Sequence, residues 1–372
     1  MIVLAISLAL SLSALATALY AWMRVRAAGG ATGATSTRDV LLLRPCAGSD
    51  AWLERALMSS EVVLRHARSA RVRFLIATGD DEARPAAERV ARVLASRGAD
   101  AAVLVTEARG PNRKADQIAR ALALVSGASD ERVIVADADV ELDDAVTSAL
   151  LVASERSALA WAPPIEVSAR TFGDRVSGAV LDASLHAFSL LGRLDPRGVV
   201  GKCFVAARAT LDAVDAASLR HHLGEDMEIG QRLAARGSEA RMVTAAARSL
   251  VAARALGAVT ERYRRWLVVI RAQRPALLAS YPVLLASSPL AMAAAVAARE
   301  PRALAVAVVA RMSVAALARR SAGRAFSLSS LALGFFADAV LLVAWIGAIA
   351  SPRVRWRGIT LVARAGHLEV ES

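Results

Sequence analysis

The sequence predicts an α/β domain that lies between apolar segments long enough to cross a membrane. Through the middle of the chain, from about residue 38 to 266, short continuous apolar runs alternate with helical patterns. Such runs are typical of parallel strands that helices cover on both faces. The longer apolar segments are concentrated at the N-terminus, which carries no charge, and between residues 276 and 350.

Composition narrows the class of protein. Of the 372 residues, 56% are hydrophobic, which excludes intrinsic disorder because disordered chains are far less apolar. The 46 Lys and Arg against 34 Asp and Glu give a net charge of +12. Arginines spread through apolar sequence fit an anionic membrane surface, whereas a nucleic-acid binder would gather its basic residues with many stacking aromatic residues, which are only 4% of this chain. We therefore expect a membrane as partner and no nucleic acid.

Residues 1–24 are predicted to be a transmembrane anchor. Residues 1–23 carry no charge and are long enough to cross a hydrocarbon core of roughly 30 Å. A cleaved signal peptide is the alternative, but a basic residue would then precede the apolar run, whereas Arg24 and Arg26 follow it. Positive charge at the C-terminal end of the anchor places the chain that follows it in the cytoplasm and the N-terminus outside. A flexible linker is expected over residues 27–37.

The domain over residues 38–266 is predicted to contain a parallel sheet with helices between its strands. Apolar runs predict strands at residues 40–43, 72–77, 101–105 and 133–136. Helical patterns predict helices at residues 51–70, 84–97, 115–125 and 224–236, and an amphipathic helix at 180–191. The two cysteines, Cys46 and Cys203, are too few for a disulfide framework or a four-thiolate zinc site.

Residues 276–350 are predicted to hold three more membrane segments, at 276–298, 304–318 and 327–350. The middle segment is short and contains Arg311, whose charge is costly at mid-depth in a bilayer. The last segment either crosses the membrane or only re-enters it. That choice decides the side of the basic tail, residues 351–372, and the sequence leaves it open.

Three groups of polar residues indicate chemistry. Asp137 and Asp139 directly follow a predicted strand, where carboxylates can bind Mg²⁺ or Mn²⁺ and a diphosphate, although such a pair also makes ordinary turns. Asp226 begins a predicted helix, so it is either a general base or an acid that complements the helix dipole. Lys114 at a helix start could bind phosphate. The segment at 262–266 is either a membrane-interface anchor or a diphosphate site.

Six segments in a fixed order resemble a known family. They are RPCAGSD at 44–50, DD at 80–81, NRK at 112–114, DAD at 137–139, ED at 225–226 and RYRRW at 262–266. Their order and spacing are similar to those of the membrane-bound ceramide glucosyltransferase family, whose bacterial relatives include the sugar transferases of hopanoid lipid synthesis. The family pattern is Lys-Pro-Leu-x-Gly-x-Asp, an early Asp, Asn-x-Lys, Asp-x-Asp, Glu-Asp and (Gln/Arg)-x-x-Arg-Trp. The resemblance covers nearly the whole chain.

The resemblance implies the GT-A fold, a Rossmann-like α/β fold that binds nucleotide-sugars, between the N-terminal helix and a C-terminal membrane cluster. It also implies an inverting glycosyltransferase that moves a sugar from a UDP-sugar to the hydroxyl of a membrane lipid such as ceramide or a hopanoid. The expected location is the bacterial inner membrane, with the catalytic domain in the cytoplasm. A processive polysaccharide synthase and a non-catalytic membrane scaffold of the same fold are the alternatives.

The resemblance also implies roles for individual residues. Asp226 is the expected base, and Arg265 and Trp266 are expected to close the donor and acceptor pocket. Asp139 and Asp137 are expected to hold the divalent metal, Mg²⁺ or Mn²⁺. The other expected donor-binding residues are Asp80, Asn112, Lys114 and Arg262.

The chain departs from the family pattern at a few positions. Arg44 stands in place of the family Lys, and Cys46 in place of Leu. The segment around Asp80 aligns loosely, so Asp81 is an alternative to it. Asp116 and Gln117 stand where two Asn are usual.

Overall fold

The structure is a computed structural model that describes residues 2–27, 38–195, 198–222, 224–325, 327–356, 359–364 and 367–370. The chain divides into two compact units. The helical unit comprises Met1–Gly29, Ala169–Leu194 and Ala253–Arg355, and the sheet unit comprises Gly30–Ser168, Asp195–Ala252 and Trp356–Ser372. Most of the predicted linker, from residue 28 onwards, lies outside the described residues.

The sheet unit is built on a seven-stranded sheet. Its strands are β1 (Asp39–Cys46), β2 (Ser69–Ile76), β3 (Asp100–Val105), β4 (Arg132–Ala136), β6 (Leu159–Trp161), β8 (Cys203–Ala207) and β9 (Ala240–Met242). Their order in the sheet is β3-β2-β1-β4-β8-β6-β9. β1 to β4 are parallel, and β8 is antiparallel to β4 and to β6. The four strands predicted from apolar runs are confirmed, and so is the mixed α/β class with a parallel-rich sheet.

The rest of the sheet unit consists of helices and short strands. Its helices are α2 (Leu53–Met58), α3 (Arg84–Ser96), α4 (Arg113–Leu124), α5 (Asp144–Ser154), α8 (Arg208–Ala213) and α9 (Glu225–Ala235). β5 (Val140–Glu141), β10 (Ala247–Leu250) and β7 (Pro164–Val167) form a second sheet, and β12 (Ile359–Arg364) pairs with β13 (His367–Val370). Cys46 and Cys203 are both buried free thiols, and burial raises the pKa of each to about 12.

One predicted helix of this unit is shorter than expected. The pattern over residues 51–70 forms only α2, followed by a 3₁₀ turn over Ser59–Arg65. The hydroxyl of Ser59 accepts a hydrogen bond from the backbone N–H of Leu142, and that of Ser60 accepts one from Arg44. Ser59 also donates to the carbonyl of Ala56 at 2.6 Å, and local serine bonds of this kind compete with continuation of the α-helix beyond Met58.

The order of the strands creates a crevice at one point of the sheet. β1 lies between β2 and β4, so the chain leaves β1 toward one edge and later returns on its other side. Ligands of open α/β sheets bind outside the carboxyl ends of the strands where the order reverses in this way. The predicted Asp137–Asp139 pair follows the carboxyl end of β4 and therefore stands at this point.

The helical unit contains the predicted membrane segments. Its elements are α1 (Ile2–Ala27), α6 (Phe172–Asp182), α7 (Phe188–Leu194), α10 (Leu256–Gln273), α11 (Pro275–Ala297), α12 (Pro301–Ser321), α13 (Leu328–Ala350) and β11 (Arg353–Trp356). In the part of the chain that the structure describes, α1, α11, α12 and α13 are long and apolar enough to cross a membrane. They indicate an integral membrane protein.

The amphipathic helix predicted at residues 180–191 is wrong as a single element. α6 ends at Asp182 and α7 begins at Phe188. Between them the hydroxyl of Ser184 accepts a hydrogen bond from the backbone N–H of His186, which closes a turn. The carboxylate of Asp182 is held by Arg319, at 3.1 Å. This tertiary ion pair and the local serine bond end a helix that hydrophobic periodicity alone would continue.

Arg311 in α12 is paired inside the helical unit. Its guanidinium donates to both carboxylate oxygens of Asp338 in α13, at 2.6 and 3.0 Å. It also donates to the backbone carbonyls of Gly334 and Ala183. A buried guanidinium with these four partners needs no water, which explains how a segment with a central charge can belong to the membrane cluster.

Candidate active site

The backbone of the loop that carries Asp137 and Asp139 is held in place by Arg44. This arginine is buried in β1, and its guanidinium donates to the backbone carbonyls of Asp137 and Val140, at 3.0 and 2.7 Å. The N–H of Asp137 is bound to the carbonyl of Lys202, and the N–H of Leu250 to the carbonyl of Asp139. The backbone of the two acids is thus fixed on three sides by residues distant in sequence.

The side chains of the two acids contact the two lysines of the chain. The ammonium of Lys202 lies 2.7 and 2.6 Å from the two carboxylate oxygens of Asp139 and 3.2 Å from Asp137. The other oxygen of Asp137 is 2.8 Å from the ammonium of Lys114. Ser249 donates to Asp139 at 2.8 Å. Every carboxylate oxygen of the pair therefore has an ammonium partner.

Lys114 connects this pair to the helix that carries Asp226. Its ammonium donates to the carbonyl of Gly201 at 2.8 Å and lies 3.0 Å from Glu225. Burial by itself would lower the pKa of Lys114, but the carboxylates of Asp137 and Glu225 outweigh it and hold that pKa above its ordinary value. The side chain consequently stays charged at neutral pH.

Asn112 lies beneath the site and is fully buried. It caps α4 by accepting a hydrogen bond from the N–H of Ala115. Its amide donates to the carbonyl of His222 and to the carboxylate of Glu225, at 2.8 Å each. These contacts use its hydrogen-bonding groups within the protein, so they favour a role in positioning Glu225 and Lys114 rather than in touching a ligand.

Asp226 stands in the first turn of α9 and is tethered to the loop before β8. One carboxylate oxygen accepts a hydrogen bond from the N–H of Gly201 at 2.6 Å, and the other accepts one from the N–H of Met227 at 2.9 Å. A Cβ on Gly201 would approach the Cβ of Asp226 to 2.9 Å, so only glycine allows this contact. Burial, with the neighbouring carboxylate of Glu225, raises the pKa of Asp226 to about 6.

A cavity of about 340 Å³ opens in the sheet unit beside Lys114 and the Asp137–Asp139 pair, and Asp226 is not among the residues that line it. The residues in its wall that bear charge are Asp50, Arg113, Lys114, Asp137, Asp139 and Lys202. Pro45, Cys46 and Gly48, from the segment after β1, line the same cavity. The cavity thus lies at the carboxyl ends of β1 and β4, where the order of the strands reverses.

Asp80 and Asp81 follow the end of β2 and have different surroundings. Asp80 is exposed, and a hydrogen bond from the side chain of Thr78 lowers the pKa of its carboxyl. Asp81 accepts hydrogen bonds from the N–H groups of Gly48 and Ala83, at 2.9 Å each. Asp81 thus shapes the loop at Gly48, whereas the carboxylate of Asp80 is open to a ligand.

The residues in the cavity fit a divalent metal only in part. Asp137 and Asp139 offer hard oxygen donors, which Mg²⁺ and Mn²⁺ prefer. Among the described residues no group of three or more His, Cys, Asp or Glu side chains could hold a metal ion. The other ligands would therefore have to be water and phosphate oxygens, as is usual for Mg²⁺ beside a nucleotide.

The predicted residues at 262–266 lie on α10 in the helical unit. The guanidinium of Arg262 lies 4.9 Å from the ring centroid of Trp266. The same indole is in contact with the rings of Tyr263 and Phe188, at 5.1 and 5.5 Å between centroids. Arg265 stands on the same helix and is half-buried. These residues form a cationic, aromatic cluster, which suits both an interface anchor and a lipid-binding wall.

Lys202 is the site residue that motif reasoning missed. It directly precedes β8 and belongs to none of the six segments. The composition of the chain could have pointed to it, because only Lys114 and Lys202 of the 46 Lys and Arg residues are lysine. An ammonium is a compact point charge on a flexible stem, and a guanidinium is a larger planar fork. Both lysines of the chain line the same cavity, whereas the other basic residues are arginine. This indicates that the site requires an ammonium group in particular.

Comparison with known proteins gives a family and several distant structural likenesses. The model of the family described as "Glycosyl transferase family 21" matches residues 6–368. No curated protein matches the sequence.

Among solved structures, the mannosyltransferase PcManGT from Pyrobaculum calidifontis, in complex with GDP-Man and Mn²⁺, is 18% identical with a TM-score of 0.49. That match covers 94% of this chain and 98% of the other. Glucosyl-3-phosphoglycerate synthase from Mycobacterium tuberculosis is 17% identical with a TM-score of 0.37, over 62% of this chain and 79% of the other. S. aureus TarS 1-349 is 12% identical with a TM-score of 0.38, over 90% and 99%. These three scores are below 0.5, so the assignment rests on the family model.

Proposed function

The chain belongs to glycosyl transferase family 21, and we propose that it transfers a sugar, with inversion, from a UDP-sugar to the hydroxyl of a membrane lipid such as ceramide or a hopanoid. The observation that carries the proposal is the contact of Lys114 with both Asp137 and Glu225. Lys114 also donates to the carbonyl of Gly201, whose N–H binds Asp226, so the proposed donor site and the proposed base belong to one hydrogen-bonded network.

The proposed reaction breaks one bond and forms another at the anomeric carbon of the sugar. The lipid hydroxyl oxygen attacks this carbon, its proton passes to the carboxylate of Asp226, and the bond to the diphosphate breaks on the opposite face. A pKa of about 6 keeps Asp226 mostly ionised at neutral pH while leaving it basic enough to accept the proton. The N–H of Gly201 holds the carboxylate in place.

The departing nucleoside diphosphate needs positive charge. Lys114 and Lys202 supply two ammonium groups at the wall of the cavity, and Arg113 a guanidinium. A divalent ion held by Asp137 and Asp139, when bound, would supply further positive charge to the diphosphate oxygens. Cations that contact the diphosphate lower the barrier because they stabilise the negative charge that develops there.

The proposed roles of the remaining residues rest on the family motif and on their surroundings. Asp80, with an exposed carboxylate, is proposed to contact the donor, and Asn112 to position Glu225. Arg262 and Arg265 are proposed to contact the diphosphate and Trp266 to form an acceptor wall.

The protein is proposed to lie in a bacterial inner membrane with residues 38–266 on the cytoplasmic side. The support is the pair Arg24 and Arg26 at the C-terminal end of α1, since cytoplasmic flanks carry the basic residues. Protease added to intact cells should leave this region uncut. Cleavage there would reverse the proposed orientation.

The decisive experiment is product analysis with the purified full-length chain in detergent. The chain is incubated with UDP-glucose, or another nucleotide-sugar, and a bacterial lipid extract supplemented with ceramide. Mass spectrometry should find a lipid that carries one hexose, with the anomeric configuration opposite to that of the donor. A ladder of polymers would indicate a processive synthase. A chain that neither transfers nor hydrolyses any donor would contradict enzymatic function, and Asp226→Asn is the matched inactive control.

A further inference from the structure

Lys202 occupies the position between the two acids where a divalent ion would have to bind. Its ammonium lies within 3.2 Å of three of the four carboxylate oxygens of Asp137 and Asp139. A divalent ion needs the same oxygens, and its charge repels the ammonium at such short range. Ion and ammonium therefore exclude each other from this position.

The anchoring of Lys202 leaves only its side chain free to move. Its carbonyl accepts the N–H of Asp137 at 3.0 Å, and β8 begins at the next residue, so the backbone is held in the sheet. The side chain is 15% exposed and borders the 340 Å³ cavity. Rotation about its four-carbon stem would carry the ammonium from the carboxylates into the cavity.

The choice of lysine fits such a movement better than arginine would. Arginine is this chain's general cation, with all but two of the 46 basic residues. A guanidinium would form a bidentate fork with Asp139, which is strong and geometrically fixed. An ammonium makes a less directional contact, so it can leave the carboxylates when an anion offers it a new partner.

We propose that Lys202 is a built-in counter-cation that holds Asp137 and Asp139 together in the absence of donor and must move onto the donor's diphosphate before a divalent ion can bind. The inference rests on the proposed function for the identity of the diphosphate. It makes metal binding dependent on the nucleotide: the metal binds weakly by itself, and the nucleoside diphosphate strengthens it by removing the competing ammonium. By reciprocity the metal strengthens binding of the nucleotide by the same factor.

The test measures Mn²⁺ binding without turnover, by electron paramagnetic resonance of free Mn²⁺ in solutions of the full-length chain. Lys202→Met removes the ammonium and keeps the length of the side chain. We expect it to bind Mn²⁺ alone at least about tenfold more tightly than the wild type, since the carboxylates become available. Adding UDP should then strengthen Mn²⁺ binding less in the variant than in the wild type.

Two further variants separate this effect from a change in net charge or in folding. Arg248 precedes Ser249 in the chain, and its guanidinium is paired with Glu141 at 3.2 Å. Arg248→Met therefore removes a nearby cation, and it should leave Mn²⁺ binding unchanged. Lys202→Arg keeps the charge and should bind Mn²⁺ as weakly as the wild type or more weakly. Thermal unfolding checks that each variant is folded.

The proposal is overturned if Lys202→Met binds Mn²⁺ no more tightly than the wild type, or if Arg248→Met gains as much. It is also overturned if the wild type binds Mn²⁺ equally tightly with and without UDP, a comparison that does not depend on the folding of any variant. Because the readout is metal binding, a chain that transfers no sugar but shows the expected gain would refute the proposed function and leave this inference standing.

Discussion

Replacing Asp226 with Asn should abolish sugar transfer while donor binding survives. An amide cannot accept the proton of the acceptor hydroxyl, so turnover should fall by on the order of 10²–10⁴-fold. At about 1.4 kcal/mol per factor of ten, this loss raises the activation free energy by roughly 3–6 kcal/mol. The alternative role, helix stabilisation, predicts nearly normal turnover. In the structure the N-cap of α9 is Gly224. One carboxylate oxygen of Asp226 accepts from the N–H of Met227 in the first turn, and the other accepts from the N–H of Gly201 outside the helix.

The structural cost of this substitution can be separated from the catalytic one. Asn offers one acceptor oxygen where Asp226 uses two, so one of the two N–H groups loses its partner. An unsatisfied buried N–H costs about 1–3 kcal/mol of folding free energy. This cost would lower the melting temperature without changing the chemistry of the folded fraction. Glu228→Gln is the matched control, since Glu228 lies in the same helix and pairs with Arg232 outside the cavity.

The dependence of activity on pH provides the discriminating measurement. With its pKa raised to about 6, Asp226 is an active base only above that pH, because the protonated carboxyl has no place for another proton. kcat/KM of the wild type, measured between about pH 5 and pH 8, should rise through about pH 6 and then level off. The residual rate of Asp226→Asn should lack this rise, and titration calorimetry should show donor binding close to wild type. Near-normal turnover in the variant, or a rise in the wild type that the variant retains, would refute the assignment.

Three further predictions concern the frame around the site and the membrane cluster. Asp139→Asn should lose most turnover, and full activity of the wild type in excess chelator would contradict a metal at this position. Arg44→Met should lower the free energy of unfolding by roughly 3–5 kcal/mol, because the buried carbonyls of Asp137 and Val140 lose their donor. Chemical denaturation measures this free energy, and a change below about 1 kcal/mol would contradict the proposed support by Arg44. Asp338→Leu should destabilise the chain in detergent more than the double variant Arg311→Leu/Asp338→Leu, because the single variant leaves an unpaired buried charge; equal melting temperatures would contradict the pairing.

Much of the fold was predictable because it depends on patterns that are local in sequence. The four parallel strands show as apolar runs in the sequence. β1 and β4 lie inside the sheet and are buried almost throughout, as such runs predict. β2 and the edge strand β3 are less buried, but each also contains an apolar run. The four long helices show in the same way, since a membrane span needs about 20 apolar residues in succession. The place of Asp137 and Asp139 at the sheet edge followed from their position directly after β4.

What the tertiary structure decided is which charged groups meet, because each such pair joins residues far apart in the chain. Lys202 reaches Asp139 across 63 positions, and Arg44 reaches the carbonyl of Asp137 across 93. Arg311 is stable in an apolar helix only because α13 brings Asp338 to it. No periodicity records these partners: hydrophobic patterning reports which face is buried, whereas the free energy of a buried charge depends on the few atoms within hydrogen-bond distance, and folding alone brings those together.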